Sequence, residues 1–159
     1  MVTIANYLFF ASSSGFYSKK DWQAWADKQI LKNDSVEDWI YSVSLAKDIN
    51  ELSNALGDKI IEENYYGNNE YPPSDAVIGY FYKRYLNGEI SLYELLNKSG
   101  AEADGGEATL ECEEFYSILN EIDRNEKDPN DEEFLKCIKF MFEPFLKVVQ
   151  YQLKKIEEY

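Results

Sequence analysis

Residues 134–156 read FLKCIKFMFEPFLKVVQYQLKKI, and this stretch decides the fold class. Apolar residues recur in it at steps of three and four, which is the repeat of one face of an α-helix. The predicted buried face consists of Phe134, Ile138, Met141, Phe145, Val149, Leu153 and Ile156. Pro144 lies inside the repeat. Because proline removes a backbone donor and clashes with the preceding turn, we expect a kink there.

The same helical spacing recurs upstream, each time after a tetrapeptide typical of a helix start. A short polar residue is followed three positions later by an acid, which is the pattern of a capping box. Five such tetrapeptides begin at Ser18, Asp34, Asp48, Ser91 and Asn130. Strand-like alternation is absent, and only the stretch from Thr3 to Phe10 is ambiguous. We therefore predict an all-α, single-domain helical bundle of six to eight helices over residues 1–159, with a long, Pro-kinked C-terminal helix.

Two segments interrupt the helical pattern and are expected to be mobile surface loops. Gly67 and the pair Pro72-Pro73 predict a loop over residues 65–73. Three glycines between Ser99 and Gly106 predict a second loop over residues 99–107, after a short helix that ends at Gly100.

The charge of the chain bears on its partners. The formal net charge is -14 over 159 residues, and eight carboxylates but no basic residue lie between Lys98 and Arg124. Such a surface repels nucleic acid phosphates and favours a basic protein partner. No stretch approaches the roughly 20 apolar residues of a membrane span, and the apolar N-terminus lacks the positive segment of a signal peptide. We expect a cytoplasmic protein that binds neither nucleic acid nor membranes.

The absence of histidine narrows the chemistry. It excludes Ser-His-Asp and Cys-His catalysis and histidine-containing zinc sites, and two cysteines cannot supply four thiolates. Cys112 and Cys137 occupy apolar positions of predicted helices, so we expect buried free thiols, although a disulfide stays open. The run from Asp123 departs from the EF-hand calcium loop at three positions. We therefore predict no catalytic residue, no metal and no cofactor.

Nine residues are candidates for partner binding. Six acids form the predicted charged surface: Glu102, Asp104, Glu107, Glu111, Glu113 and Glu114. Three tyrosines of the loop at 65–73 are candidate anchors, because tyrosine is enriched at interface hot spots: Tyr65, Tyr66 and Tyr71. The tryptophans Trp22, Trp25 and Trp39 follow helical stripes and are interpreted as core residues.

Three stretches carry a resemblance to a protein family. They are GFYSKKDWQAWADKQI at 15–30, WIYSVSLA at 39–46 and DAVIGYFYKRYLNG at 75–88. They resemble small, acidic, helical bacterial proteins of unassigned function, some of which are similar to immunity proteins of toxin systems. The resemblance implies a bacterial, cytoplasmic helical domain that inhibits a toxin by binding it, and it carries over no catalytic residue.

Three functional hypotheses follow. The first is a non-enzymatic, immunity-like inhibitor that neutralises a basic bacterial toxin, such as a nuclease, through its acidic surface. The second is a structural or scaffold module that oligomerises through an exposed apolar stripe on the C-terminal helix. The third is a carboxylate-based hydrolase, which needs a deep pocket with two convergent acids. The sequence leaves the oligomeric state open.

Overall fold

The computed structural model describes residues 2–68 and 71–159. Regular secondary structure in these residues is entirely helical, so the all-α prediction and the long C-terminal helix are confirmed. The α-helices are α1 (Ile4–Ser13), α2 (Lys19–Lys32), α3 (Asp38–Leu45), α4 (Ile49–Glu63), α5 (Pro73–Leu86), α6 (Leu92–Gly105), α7 (Cys112–Asp123) and α8 (Glu132–Glu158). A short 3-10 helix, Tyr65–Asn68, follows α4.

The packing divides the chain into two compact units. The first comprises the residues before Tyr71 together with Leu153–Tyr159, and the second comprises Tyr71–Gln152. Helix α8 therefore contributes its last turns to the first unit and the rest to the second. The prediction of a single domain stays a prediction. Within the described ranges, no helix combines the length and apolarity that crossing a membrane requires.

Three of the five predicted capping boxes form helix starts. At α2, the backbone N–H of Ser18 donates to the carboxylate of Asp21 at 2.8 Å. At α4, Asp48 accepts from the backbone N–H at 2.8 Å three residues later. At α6, Ser91 accepts in the same way at 3.1 Å. Each side chain satisfies a backbone group that has no partner within the helix.

The other two predicted starts are wrong in position. Helix α8 is capped by Asp131, whose carboxylate accepts from the backbone N–H of Phe134 at 3.0 Å, and not by Asn130. Helix α3 begins at Asp38, so Asp34 lies before the helix and does not cap it. At α8 the two adjacent polar residues Asn130 and Asp131 are both suited to the cap position, so the sequence pattern misplaces the helix start by one residue.

In the first unit, a buried carboxylate holds the start of α1. Glu63, the last residue of α4, accepts from the backbone N–H groups of Ala5 at 2.8 Å and Asn6 at 3.1 Å. The side-chain amide of Asn6 also donates to it at 2.8 Å. Burial raises the pKa of Glu63, while these hydrogen bonds and Lys59 lower it. The ambiguous N-terminal stretch is thus a helix whose cap comes from α4.

The tryptophans of the first unit behave largely as predicted. Trp22 and Trp25 are buried, and the indole N–H of Trp25 donates to the carbonyl of Ile156 at 3.2 Å. Trp39 is half-buried and stacks on Trp25 with ring centroids 5.8 Å apart. The core interpretation is confirmed for the first two, and the hydrogen bond fixes the end of the chain in this unit.

In the second unit, α8 supplies most of the aromatic core. Phe134, Ile138, Phe142, Phe145 and Val149 are buried, at steps of four, four, three and four. The predicted stripe contained a half-buried methionine at position 141 and omitted Phe142. The helix continues on both sides of the proline at position 144. The kink itself stays a prediction.

Burial of this face removes the basis of the scaffold hypothesis. That hypothesis expected an exposed apolar stripe from Phe134 to Ile156. The two residues at the ends of this stripe are buried within the chain. The large apolar residues that α8 does expose are Phe140, 82% exposed, and Tyr151, 43% exposed. Two separated side chains are ordinary for a protein surface and do not form a stripe.

The glycine-rich segment at 99–107 is not the predicted loop. Helix α6 continues to Gly105, through Gly100. A Cβ on Gly100 would lie 2.5 Å from the ring of Tyr116, so this glycine lets α6 approach α7 and does not end a helix. In the other predicted loop, residues 65–68 form the 3-10 helix and α5 begins at Pro73, while residues 69–70 lie outside the described residues.

The prediction of buried thiols is also corrected. Both cysteines are free, but Cys112 is half-buried and Cys137 is exposed. On α8, Phe134 and Ile138 occupy the buried face of the helix. Cys137, which directly precedes Ile138, lies outside that face and is exposed.

Two glycines provide a matched test of the packing against α8. A Cβ on Gly79 of α5 would overlap the carbonyl oxygen of Phe145, whereas a Cβ on Gly57 of α4 would meet nothing within 4 Å. We expect Gly79→Ala to lower the free energy of unfolding by about 1–3 kcal/mol, because the two helices must separate. Gly57→Ala should raise it by about 0.5–1 kcal/mol. Urea unfolding measures both, and equal effects would contradict the close approach.

Candidate functional site

The candidate site is built on the connection between α6 and α7, which α5 holds in place. The backbone N–H of Ser74 donates to the carbonyl of Glu107 at 3.0 Å. The carboxylate of Asp75 accepts from the backbone N–H of Thr109 at 2.7 Å and from its hydroxyl at 2.5 Å. Two adjacent residues in the first turn of α5 thus fix two points of the connection.

A third contact brings the end of α6 to the same place. The hydroxyl of Ser74 donates to the carboxylate of Glu102 at 3.0 Å. A Cβ on Gly106 would overlap that hydroxyl oxygen, so a larger residue there would displace the side chain of Ser74. The charge of Glu102 is therefore turned towards α5.

Asp75 is a buried carboxyl within this arrangement. Burial raises its pKa, and the two hydrogen bonds from Thr109 lower it. Those bonds favour the charged form and so offset part of the desolvation cost. The charge of Asp75 is directed at the connection.

An open depression lies where this connection meets α7. It encloses about 520 Å³. Its described lining residues are Pro72, Ala103, Asp104, Gly106, Glu107, Ala108, Leu110, Glu111, Cys112 and Glu113. We call it the acidic depression, because four of these side chains are carboxylates and none is basic.

The structure brings together four of the six predicted acids. Asp104, Glu107, Glu111 and Glu113 are exposed and line the acidic depression. Glu114 is exposed in the first turn of α7 but is not among the lining residues. Glu102 is half-buried and bonded to α5, as described above.

The three tyrosines do not form one exposed group. Tyr65 is 2% exposed, and its ring packs edge-on against Phe10 with centroids 5.2 Å apart, so the expectation that it is an exposed anchor is wrong. Tyr65 is instead part of the aromatic core of the first unit. Tyr66 is 70% exposed but also belongs to the first unit. Tyr71 is 48% exposed and directly precedes Pro72 of the acidic depression.

The ends of α6 and α7 affect the acidic charges differently. Glu113 and Glu114 lie in the first turn of α7, where the positive end of the helix dipole stabilises them. Asp104 lies in the last turn of α6, where the dipole is unfavourable, and no basic residue occupies that turn. The arrangement around Asp104 therefore concentrates negative charge at some cost in stability.

The thiol of Cys112 lies close to these negative charges. The Sγ of Cys112 lies 3.8 Å from an oxygen of Asp104. Partial burial raises the pKa of Cys112, and the charges of Glu113 and Asp104 raise it further. Both carboxylates oppose the thiolate, since a second negative charge would form beside them.

The carboxyl groups of Glu63 and Asp75, whose pKa burial raises, lie outside the acidic depression. Each of them accepts hydrogen bonds from neighbouring structure. Among the described side chains, no group of three or more cysteines and acids is arranged to hold a metal ion. The hydrolase hypothesis requires two convergent acids in a deep pocket, and it stays a hypothesis.

Comparison with protein families, curated proteins and solved structures finds no match to this chain. What the site can do follows from its geometry and charge. Four clustered carboxylates with no basic side chain among the described lining residues attract positively charged groups at a distance.

Sequence reasoning found the acids but missed the residues that arrange them. Ser74 and Asp75 follow Pro73, which identifies a helix start in the sequence. Nothing local indicates that the partner of Asp75 lies 34 residues later.

The role of Asp75 can be tested by stability and exchange. We expect Asp75→Ala to lower the free energy of unfolding by about 1–2 kcal/mol, because Thr109 loses its acceptor. The Thr109 amide should exchange with solvent faster. Glu107→Ala, an exposed side chain on the same connection, should change stability by less than about 0.5 kcal/mol. Urea unfolding and amide exchange measure these effects, and unchanged exchange at Thr109 would contradict the assignment.

The field of the acidic depression can be tested through Cys112 in a Cys137→Ser background. Only the thiolate is alkylated, so the raised pKa requires a higher pH for reaction. We expect Asp104→Asn with Glu113→Gln to shift the pH–rate profile for iodoacetamide towards lower pH. The control pair Glu89→Gln with Glu143→Gln should leave the profile in place. A profile insensitive to both pairs would show that the carboxylates do not act on the thiol.

Proposed function

We propose that this protein is a non-enzymatic binding protein, an immunity-like inhibitor that neutralises a basic bacterial toxin. The observation that carries the proposal is the acidic depression, in which Asp104, Glu107, Glu111 and Glu113 share one surface with no basic lining residue. Tyr71 beside it supplies an exposed aromatic ring of the kind that anchors interfaces.

Charge distribution supports a cationic protein as the partner. Enzymes that act on nucleic acid carry basic surfaces, because their substrate is a polyanion. A protein with a formal net charge of -14 attracts such a surface at long range and competes with the substrate for it. Three sequence stretches resemble small bacterial proteins of unassigned function, some of which are similar to immunity proteins, and this resemblance agrees with the proposal. The proposal includes a location in the bacterial cytoplasm.

Local electrostatics also favour a binding role for the depression. Asp104 at the carboxyl end of α6 is unfavourable for the helix, and no cation offsets it in that turn. Local features that lower stability without compensation are expected where a surface serves binding.

The test asks whether a gene adjacent to the one for this chain encodes a basic, toxic domain that this protein inhibits. We expect co-expression of this protein to restore growth of cells that produce the toxin domain. Glu111→Lys with Glu113→Lys should slow association roughly tenfold at low salt and flatten its salt dependence, because steering is lost. Stopped-flow binding with the purified domain measures both.

A matched control separates the depression from net charge. Glu89→Lys with Glu143→Lys changes the net charge equally on exposed residues of the same unit that do not line the depression. We expect this double variant to reduce the association rate much less than Glu111→Lys with Glu113→Lys does. Equal slowing by both pairs would refute the depression as the binding surface, and failure to bind or protect would refute the inhibitor.

A further inference from the structure

A second groove lies at the other end of α7, where the chain turns into α8. It encloses about 460 Å³. We call it the α7–α8 groove, and its described lining residues are Ile118, Glu121, Glu126, Lys127, Asp128, Asp131, Glu133, Phe134, Cys137 and Ile138. It shares no lining residue with the acidic depression.

The floor of the α7–α8 groove is apolar. It consists of the half-buried Ile118 of α7 and of Phe134 and Ile138 of α8, which are 8% and 2% exposed and also belong to the aromatic core of the second unit. The exposed thiol of Cys137 lies between them in sequence. An apolar floor that is continuous with the core is a rigid surface for an apolar side chain.

The rim of the groove is acidic, with five carboxylates and one ammonium. Two of the acids are fixed by backbone hydrogen bonds, since Asp131 caps α8 at 3.0 Å and Asp128 accepts from the N–H of Asn130 at 2.9 Å. Glu133 forms a weak surface pair with Lys136, N–O distance 3.4 Å. The excess of carboxylates around the apolar lining favours the entry of cationic groups.

We propose that the α7–α8 groove docks a cationic amphipathic helix of a partner protein. An apolar side chain on one face of that helix would pack on the half-buried Ile118 and on the exposed part of Phe134, and its flanking lysines or arginines would reach the acids of the rim. Charge complementarity identifies the occupant. A second copy of this chain is disfavoured because it carries the same net charge of -14 and would be repelled. Nucleic acid is disfavoured because its phosphates are also negative.

This inference goes beyond the inhibitor proposal, because the groove binds such a helix whether or not the acidic depression binds a toxin. The two cysteines make the two surfaces separately observable. Cys137 lines the α7–α8 groove and Cys112 lines the acidic depression. A ligand in one groove protects one thiol from alkylation and leaves the other reactive.

The experiment uses a synthetic peptide of leucine and lysine, with the leucines spaced along one helical face. A control peptide has the same composition with the leucines scattered around the helix. We expect the amphipathic peptide to bind about tenfold or more tightly than the control in fluorescence anisotropy, since only it can bury leucines together. Binding should weaken with added salt and should slow iodoacetamide alkylation of Cys137 but not of Cys112.

Variants on the groove sharpen the test. Cys137→Arg places a bulky cation at an exposed position of the groove and should reduce peptide affinity severalfold. Glu126→Lys with Glu133→Lys provides a second variant on exposed side chains, in case the first perturbs the fold. Glu89→Lys with Glu143→Lys is the control of equal charge.

Four outcomes would overturn the proposal. Equal affinity for the two peptides would show that charge alone is responsible. Protection of Cys112 in place of Cys137 would move the binding to the acidic depression. Equal loss of affinity in all charge variants would show that no particular surface is used. A toxin domain that protects Cys112, together with a peptide that protects neither thiol, would leave the inhibitor proposal standing and refute this one.

Discussion

The candidate site depends on one local constraint, which is the attachment of the α6–α7 connection to the first turn of α5. Ser74 and Asp75 bond to Glu107 and Thr109, and thereby decide where the acidic residues on either side point. Carboxylates crowded without cations repel each other, and a free connection would let them separate. The hydrogen bonds of two residues therefore maintain an arrangement that electrostatics alone would disperse.

Helix α7 is also held in place by aromatic packing against α8. Phe115 of α7 packs between Phe142 and Phe145 of α8, with ring centroids 5.7 and 6.3 Å away. Tyr82 of α5 stacks on Phe142 at 5.1 Å with nearly parallel planes. Gly79 allows α5 to approach the backbone of α8 closely enough for this packing. An aromatic core of this kind tolerates a strongly charged surface, because the burial of rings offsets repulsion between exposed acids.

Rigid placement of α7 divides one acidic stretch of sequence between two surfaces. Glu113 at its start lines the acidic depression, and Glu121 near its end lines the α7–α8 groove. Eight residues of helix place them about 12 Å apart along the axis. The two surfaces differ in character. All charged groups among the described lining residues of the depression are carboxylates, whereas the groove also contains Lys127 and is lined by Phe134 of the aromatic core. A cationic partner can thus meet carboxylates at one end of α7 and carboxylates beside an aromatic ring at the other.

The sequence alone determined the helical class, the long C-terminal helix, three helix starts and the acids of the site, because these depend on local spacing and composition. It misjudged Gly100 and Tyr65, because a glycine that ends a helix and one that admits a neighbouring ring look the same in a sequence, as do exposed and buried tyrosines. It gave no sign that Asp75 or Glu63 would bond to distant backbone groups. Only the tertiary structure decided which acids share a surface. The physical reason is that burial and hydrogen bonding between distant segments are properties of packing, and local residue patterns do not encode them.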